Sequence, residues 1–441
     1  MTLIELFSKE HIENVCTGLI KKPDKIIVIG KENIIKDIVK RYETFLRKTI
    51  PNISVTFQPL YFDNQKSALQ NTIDTLSEII EKEDDECMID YTGGDDQYLV
   101  AAGIVFAEKG VSLHKYNFNS CVSSVIGKDG ETKTKIVPEI KIEDYIYIYG
   151  GCVAKTDGVT DGSKLLSDEA RSDIEKIWEV CRRHNINYID EKTGKTPEKN
   201  EWNVMAASFA AASEECHSED SGIRLEISKS NMDKDTVKKN TGILKELRAC
   251  GVISGFFDES SQFIVVVNNR LITECLTVAG RALELKIFTA ASEAKVSGEK
   301  VYGDVMTGVR IDWDGVLADD YGSDNEIDVM MMYGMTPVFL SCKSGNADSE
   351  ELYKLNTVAN KIGGRYAKKV LVATALSEDD KDCFLRQRAK DMGIQLIEGR
   401  KHKDDFIPFA NLDPDAVEAL MAGIVTGANS GNTSKTIKKR T

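Results

Sequence analysis

Asn325-Glu-Ile-Asp-Val329 and, eight residues on, Pro337-Val-Phe-Leu-Ser-Cys-Lys-Ser344 are the stretches on which the reading of this chain turns. Both are apolar runs separated by a short Gly-containing segment, the pattern of two hairpin-joined strands. Alternate residues of a strand share a face, so Glu326 and Asp328 are expected to point one way, and Ser341 and Lys343 to share a face of the partner strand. Carboxylates on one strand and a lysine on the next suit a Mg²⁺ or Mn²⁺ site: Asp328 and Glu326 offer hard oxygen ligands. Lys343 would orient the attacking water and steady charge on a phosphate. An ordinary exposed hairpin explains Glu326 equally well. It accounts less comfortably for a lysine closing the apolar run 337–342, because buried lysines need partners. Glu284, within Gly280-Arg-Ala-Leu-Glu-Leu-Lys-Ile-Phe288, is a further candidate, with a plain exposed helix glutamate as the competing reading.

Outward from this hairpin the chain alternates helix and strand. A long amphipathic helix over 271–291 is expected to precede strands at 306–313, 326–333 and 337–342. Helix 349–362, strand 369–373, helix 377–392, strand 394–398 and helix 413–425 follow. Residues 1–150 alternate too, beginning with the buried-strand pattern Lys25-Ile-Ile-Val-Ile-Gly30 and continuing with strands at 53–59, 87–90 and 111–116. This implies a doubly wound parallel sheet. Three further strand-like pieces, at 121–126, 134–137 and 145–149, lack intervening helices. Between them, over 151–270, a helix at 235–251 leads into strand-like Val252-Ile-Ser-Gly and Phe263-Ile-Val-Val-Val267, as in a winged helix. That region reads either as a structural connector or as a nucleic-acid reader carrying Lys234, Lys238, Lys239 and Lys245.

In open α/β sheets, ligands sit outside the carboxyl ends of strands. Asp90-Tyr-Thr-Gly-Gly-Asp-Asp-Gln97 ends the strand at 87–90 and opens a helix, and Gly30-Lys31 turns beside it. Gly30, Lys31, Thr92, Gly93, Gly94, Asp95, Asp96 and Gln97 are therefore the candidate ligand-binding residues. Close backbone approach at the glycines and free helix N–H groups would hold phosphate.

The 441 residues carry 57 Lys plus Arg against 71 Asp plus Glu, a formal net charge of −14. That excludes a globally basic nucleic-acid coat, though not local basic patches. Ten cysteines lie singly, without CxxC or zinc spacing, which reads as a reduced, cytoplasmic chain. Apolar runs of about 18 residues, as a membrane span requires, are missing. Walker A and GxGxxG motifs are absent, which argues against an ordinary NTPase or a dinucleotide dehydrogenase. Asp312-Trp-Asp-Gly315 resembles the nucleophile loop of haloacid-dehalogenase-type phosphatases, with Asp312 as nucleophile and Asp314 as acid/base. Against that reading, two further strands follow it closely.

Taken in order, these features resemble the CARF (CRISPR-associated Rossmann fold) nucleases of type III CRISPR systems, in the subgroup with a C-terminal PD-(D/E)xK, restriction-endonuclease-like domain. The segments that carry the resemblance are 90–94, 280–288, 325–329, 339–344 and 363–370. The resemblance implies an α/β chain with a Rossmann-like CARF domain at 1–150, a winged-helix-like connector at 151–270, a nuclease domain at 271–428 and a disordered tail at 429–441. It also implies a homodimer whose paired CARF domains bind cyclic oligoadenylate, most often cyclic tetra-adenylate. Mn²⁺- or Mg²⁺-dependent cleavage of DNA, RNA or both would follow, with no membrane partner. The family's Glu-x-Lys reads Ser341-Cys342-Lys343 here, so one metal carboxylate is displaced. Glu326 or Glu284 would supply it, with the Cys342 carbonyl as a further ligand. A ligand-responsive winged-helix transcription regulator is the alternative.

Overall fold

A computed structural model of the chain describes residues 1–61, 67–155, 167–197, 199–218, 222–313, 325–345, 347–374, 380–402 and 405–427. The tail at 429–441 lies outside them, as does Asp314.

The N-terminal unit runs β1 (Thr2–Leu6), α1 (Glu13–Lys21), β2 (Lys25–Gly30), α2 (Glu32–Leu46), β3 (Ser54–Pro59), α3 (Ala68–Lys82), β4 (Cys87–Asp90), α4 (Asp96–Lys109), β5 (Ser112–Asn117), β6 (Val122–Gly127), β7 (Gly130–Lys135) and α5 (Ile142–Ile148). Its sheet has the order β3-β2-β1-β4-β5-β6-β7; the first five strands are parallel and the last two antiparallel. The middle strand of the five parallel ones is β1, fully buried, where an acidic flank obscures a short apolar run in the sequence. The chain leaves β1 toward β2 and later returns to β4 on its other side, so the topological switch point lies between β1 and β4. Residues 145–149 were expected as strand and are helical instead. Tyr-Ile-Tyr-Ile-Tyr alternates, but Ile142, Tyr145 and Ile146 are buried at helical spacing, and packing follows that period.

The middle region holds β8 (Cys152–Lys155), α6 (Asp168–Arg183), α7 (Glu201–Ala212), β9 (Ser213–Ser218), β10 (Gly222–Ser228), α8 (Lys234–Ala249), β11 (Ile253–Asp258) and β12 (Gln262–Val267). The expected β11–β12 hairpin is present but belongs to a four-stranded antiparallel sheet, β11-β12-β10-β9.

The C-terminal unit comprises α9 (Arg270–Thr277), α10 (Arg281–Glu293), the short hairpin β13 (Lys295–Val296) and β14 (Glu299–Lys300), β15 (Asp304–Asp312), β16 (Asn325–Tyr333), β17 (Thr336–Lys343), α11 (Ser349–Gly363), β18 (Lys368–Ala373), α12 (Asp380–Asp391), β19 (Ile394–Ile397), β20 (Gly399–His402), β21 (Asp405–Pro408) and α13 (Pro414–Thr426). Its sheet has the order β19-β18-β17-β16-β15-β8, so a strand from the start of the middle region forms its edge. The single helix expected over 271–291 is two helices, broken where Gly280 takes φ +91°. The break starts α10 at Arg281 and places Glu284 in its first turn.

Both faces of this sheet are covered. Val329, Met331, Leu340 and Cys342 pack with α10, α13 and the middle region, while Met330, Phe339 and Leu371 share a core with Val15, Tyr42 and Tyr145 of the N-terminal unit. One apolar core therefore runs from the first sheet into the second.

His184, capping the end of α6, ties three helices together. Its Nδ1 lies 2.9 Å from Glu201 and its Nε2 3.2 Å from Glu246. Burial pulls its pKa down, but the hydrogen bonds and charges of Glu246 and Glu201 outweigh it, and the net shift is upward. A raised folded pKa stabilises fully below the unfolded value and loses that contribution as pH rises through the folded one. Urea midpoints of wild type and His184→Gln are therefore expected to differ most near about pH 6 and to converge toward alkaline pH. A gap that widened with pH would contradict this linkage.

Candidate active site

The site begins with a broken ladder. Pairing between β15 and β16 includes Thr307 with Val329 and Val309 with Ile327, but skips the Gly308–Asp328 position between them. Gly308 has φ +61°, a conformation that glycine adopts without the steric penalty of a Cβ. On the other side, pairing of β16 with β17 stops at Val329–Leu340, while β17 continues beside β18 as far as Lys343–Ala373. The sheet thus forks at Asp328. Buried backbone N–H groups need acceptors. In the fork, Asp328 Oδ2 accepts the Cys342 N–H at 2.6 Å and the Ser341 hydroxyl at 3.0 Å. The Asp328 main-chain carbonyl accepts from Thr307 Oγ1 at 2.7 Å.

Helix α10 brings the second carboxylate. Buried Arg281 donates to Glu284 at 3.0 Å and to Thr307 Oγ1 at 3.3 Å, and pairs with Glu274 at 3.3 Å. Burial, reinforced by the nearby Asp328 charge, pushes Glu284 up to about 7 against the pull of Arg281. Asp328 is also raised, chiefly by burial, while the Cys342 N–H, Lys343 and Ser341 oppose the shift. The charge of half-buried Asp328 thus raises the proton affinity of half-buried Glu284, the condition a divalent cation relieves.

Lys343 sits at the end of β17, one-third exposed, with Nζ 3.1 Å from Glu351 of α11. Glu326 stays at the rim, half exposed, and pairs across the ladder with Arg310 at 3.4 Å. Its charge still raises both Glu284 and Asp328. The Cys342 thiol is buried, and burial followed by the charges of Asp328 and Glu284 pushes its pKa well up, so any ligand from this residue is its carbonyl. Among the described residues, no three His, Cys, Asp or Glu side chains converge as a metal-holding group. The donor set nonetheless fits a hard cation with two carboxylates, Asp328 and Glu284, and leaves the remaining positions to backbone and water oxygens. Ser341 explains the shortfall: its hydroxyl steadies Asp328 instead of adding a third charge.

Sequence reasoning missed Arg281, Thr307, Gly308 and Glu351. A glycine inside a strand pattern is a signal of a ladder defect, and Gly308 carried it. The pairing of Glu351 with Lys343 had no local signal.

At the switch point, the expected ligand residues divide. Thr92 is committed internally: its hydroxyl donates to Asp90 at 2.7 Å and accepts the Tyr116 N–H at 2.8 Å. A side chain at Gly93 would overlap Glu13 and Ser8, and Gly94 takes φ +112°. Asp95 caps α4 by accepting the Gln97 N–H, while Asp96 and Gln97 are exposed on the first turn. Gly30 is buried against Phe7 and Ile35, and Lys31 precedes α2. Of the competing phosphatase pair, Asp312 is buried at the end of β15. Lys239 of the winged-helix-like region is paired with Asp235 and Glu201.

Residues 264–405, which contain the fork, Glu284 and Lys343, match the family model of the Card1-like endonuclease domain. The whole chain superposes on protein VC1899 from Vibrio cholerae with TM-score 0.69 and 18% identity, covering 98% of this chain and 99% of that one. The chain shares that protein's fold over its length, and its 264–405 segment is similar to a Card1-like endonuclease domain. It also matches Can2 from Sulfobacillus thermosulfidooxidans, solved in complex with cyclic tetra-adenylate, at TM-score 0.61 and 13% identity over 97% of each chain. No curated protein sequence matches. No helix among the described residues is long and apolar enough to cross a membrane.

The coupled carboxylates give a direct test. In metal-free protein, the Glu284 carboxyl carbon is expected to titrate at about 7. In Asp328→Asn the midpoint should fall, because one neighbouring negative charge is gone. A midpoint in the ordinary carboxylate range for wild type would show that the two groups do not share a buried field.

Proposed function

We propose that this chain is a nuclease gated by cyclic oligoadenylate, with cyclic tetra-adenylate as the activator, acting as a homodimer in type III CRISPR defence and hydrolysing phosphodiesters of DNA, RNA or both with Mn²⁺ or Mg²⁺. The observation that carries the reading is the Asp328 carboxylate spanning the β16–β17 fork beside half-buried Glu284, inside the segment that matches the endonuclease domain. The activator assignment rests on the fold shared with Can2, together with the topological switch point between β1 and β4.

Asp328 and Glu284 would hold the cation, with the Cys342 carbonyl and, from the rim, Glu326 as further donors. When bound, the ion supplies Lewis-acid stabilisation and a more acidic water. The protein's own groups do the rest. Arg281 keeps Glu284 oriented through their 3.0 Å pair, and the Ser341 hydroxyl with the Cys342 N–H keeps Asp328 in the fork. Lys343, at the mouth of the fork, places a positive charge where a phosphate oxygen or the attacking water would sit. At the switch point, a phosphate of the activator ring would approach the Gly94 backbone beside the first turn of α4, whose Gln97 and Tyr98 N–H groups are already engaged by Asp95. The wing-like middle region then serves as a connector between the units, its helices packed into the same core as α10 and α13.

Purified protein is expected to cleave nucleic acid only with divalent metal and cyclic tetra-adenylate together. Asp328→Ala and Lys343→Ala should each reduce cleavage at least about 100-fold while the activator still binds. Cleavage at wild-type rates by both variants would remove the site assignment. Tight metal-independent binding to one duplex sequence, without cleavage, would favour the transcription-regulator reading.

A further inference from the structure

Helix α11 spans the distance between the two candidate sites, and each of its ends is bound to one of them. At its N-terminal turn, Asp348 caps the helix by accepting the Glu350 and Glu351 N–H groups at 2.9 and 3.2 Å. That cap fixes Glu351, whose Oε2 lies 3.1 Å from Lys343 Nζ. The body of the helix packs on β17 and β18 through Leu352, Leu355, Val358, Ala359 and Ile362. Fifteen residues at about 1.5 Å rise make it a strut roughly 22 Å long.

At the other end the strut meets the N-terminal unit. The Ile362 carbonyl accepts from Tyr145 Oη at 3.3 Å. Just beyond it, Arg365 and Tyr366 both donate to the buried Glu13 carboxylate, which also accepts from the Ser8 hydroxyl at 2.5 Å. The Arg365 N–H reaches Glu10 at 3.3 Å, and Tyr366 stacks on Phe118 with ring centroids 4.1 Å apart. Gly364 takes φ +52°, and a side chain there would collide with Glu10, so the close approach requires glycine. The same Glu13 carboxylate fills the space that a side chain at Gly93 would occupy. One carboxylate therefore touches both the strand-end loop of the N-terminal unit and the end of the helix that carries the partner of Lys343.

We infer that Glu351 is a positioning residue for Lys343, and that the helix bearing it is set from its far end by Glu13 beneath the ligand loop. A phosphate or ribose entering at Gly93–Gly94 would displace or press on Glu13. Arg365 and Tyr366 would move with it, and α11 would shift Glu351 and hence the Lys343 ammonium relative to Asp328. The inference rests on the nuclease reading and adds the route by which an activator in the N-terminal unit reaches the C-terminal fork.

Two full-length variants test it. Glu351→Gln keeps the cap and the helix and removes only the charge facing Lys343. Because Glu351 also lies 3.8 Å from exposed Lys354, which keeps Glu350 as a partner, the loss is read at Lys343: kcat is expected to fall about tenfold at unchanged KM and unchanged activator affinity, with Glu351→Asp recovering part of the loss. Arg365→Gln, at a largely exposed side chain, is expected to bind cyclic tetra-adenylate like wild type yet lose most of the activation. It should also lose the change in amide exchange that the activator produces over residues 349–366 in wild type. Wild-type kcat in Glu351→Gln, or full activation with the wild-type exchange change in Arg365→Gln, would overturn the inference while leaving the nuclease intact. A wild-type protein that cleaves nothing with activator and Mn²⁺ would instead overturn the nuclease reading, and the strut's role in catalysis with it.

Discussion

The bond from the Cys342 N–H to the Asp328 carboxylate is the interaction on which the site depends. A sheet that stayed fully paired would have satisfied that N–H with a β16 carbonyl and left no room for a ligand. Here the ladder ends at Val329–Leu340, and a side-chain carboxylate takes over the acceptor role. The fold thereby obtains a charged group inside a sheet without an orphaned donor. The same substitution pins Asp328 between β16 and β17, so the carboxylate cannot relax toward solvent. On the other side, Gly308 lets β15 skip a rung, and Thr307 bridges from Arg281 to the Asp328 carbonyl. A chain of hydrogen bonds thus joins α10 to the fork.

The placement of Glu284 follows from that chain and from the helix break at Gly280. One continuous helix over 271–291 would have had no first turn at Arg281. With the break, Arg281 sits buried against Glu274, Glu284 and Thr307, and Glu284 enters the field of Asp328. The apolar core continues from this sheet into the N-terminal unit, so the two units do not meet across a wet, easily sheared seam. A movement at the strand ends of β1 and β4 has dense side chains, not solvent, on the path to α11. Against that background the overall negative charge is no obstacle to polyanionic partners. Carboxylates such as Glu78 and Glu81 lie exposed on α3, remote in sequence from the fork, while those in the fork are held by Arg281, Lys343 and hydrogen-bond donors.

Much of this was legible in the sequence where local pattern decides structure. Strands at 25–30, 87–90, 326–333 and 337–342 are apolar runs of strand length, and they form the sheets expected of them. Asp328 feels the charge of Lys343 and lends its own to Glu284 because two of them lie on neighbouring strands and the third on the helix that packs against those strands. What escaped notice depended on distant partners. β1 hides within an acidic N-terminal stretch, and 145–149 alternates like a strand yet buries a helical face. The β9–β10 pair was obscured by the run of alanines before it, which reads as helix. Glu351 and Glu13 look like ordinary helix glutamates until tertiary structure brings Lys343 and Arg365 to them. Thr92 shows the converse: a hydroxyl at a strand end invites a phosphate reading, and tertiary structure already gives it Asp90 and the Tyr116 N–H as partners.

The fork carboxylates act as a site only if they hold an ion together. Mn²⁺ titrated into full-length protein, without activator or substrate and followed by electron paramagnetic resonance and calorimetry, measures this without any turnover. One ion per chain, its affinity lost in Glu284→Gln, is the predicted result. Equal stoichiometry and affinity in wild type and Glu284→Gln would contradict a site built on the Asp328–Glu284 pair.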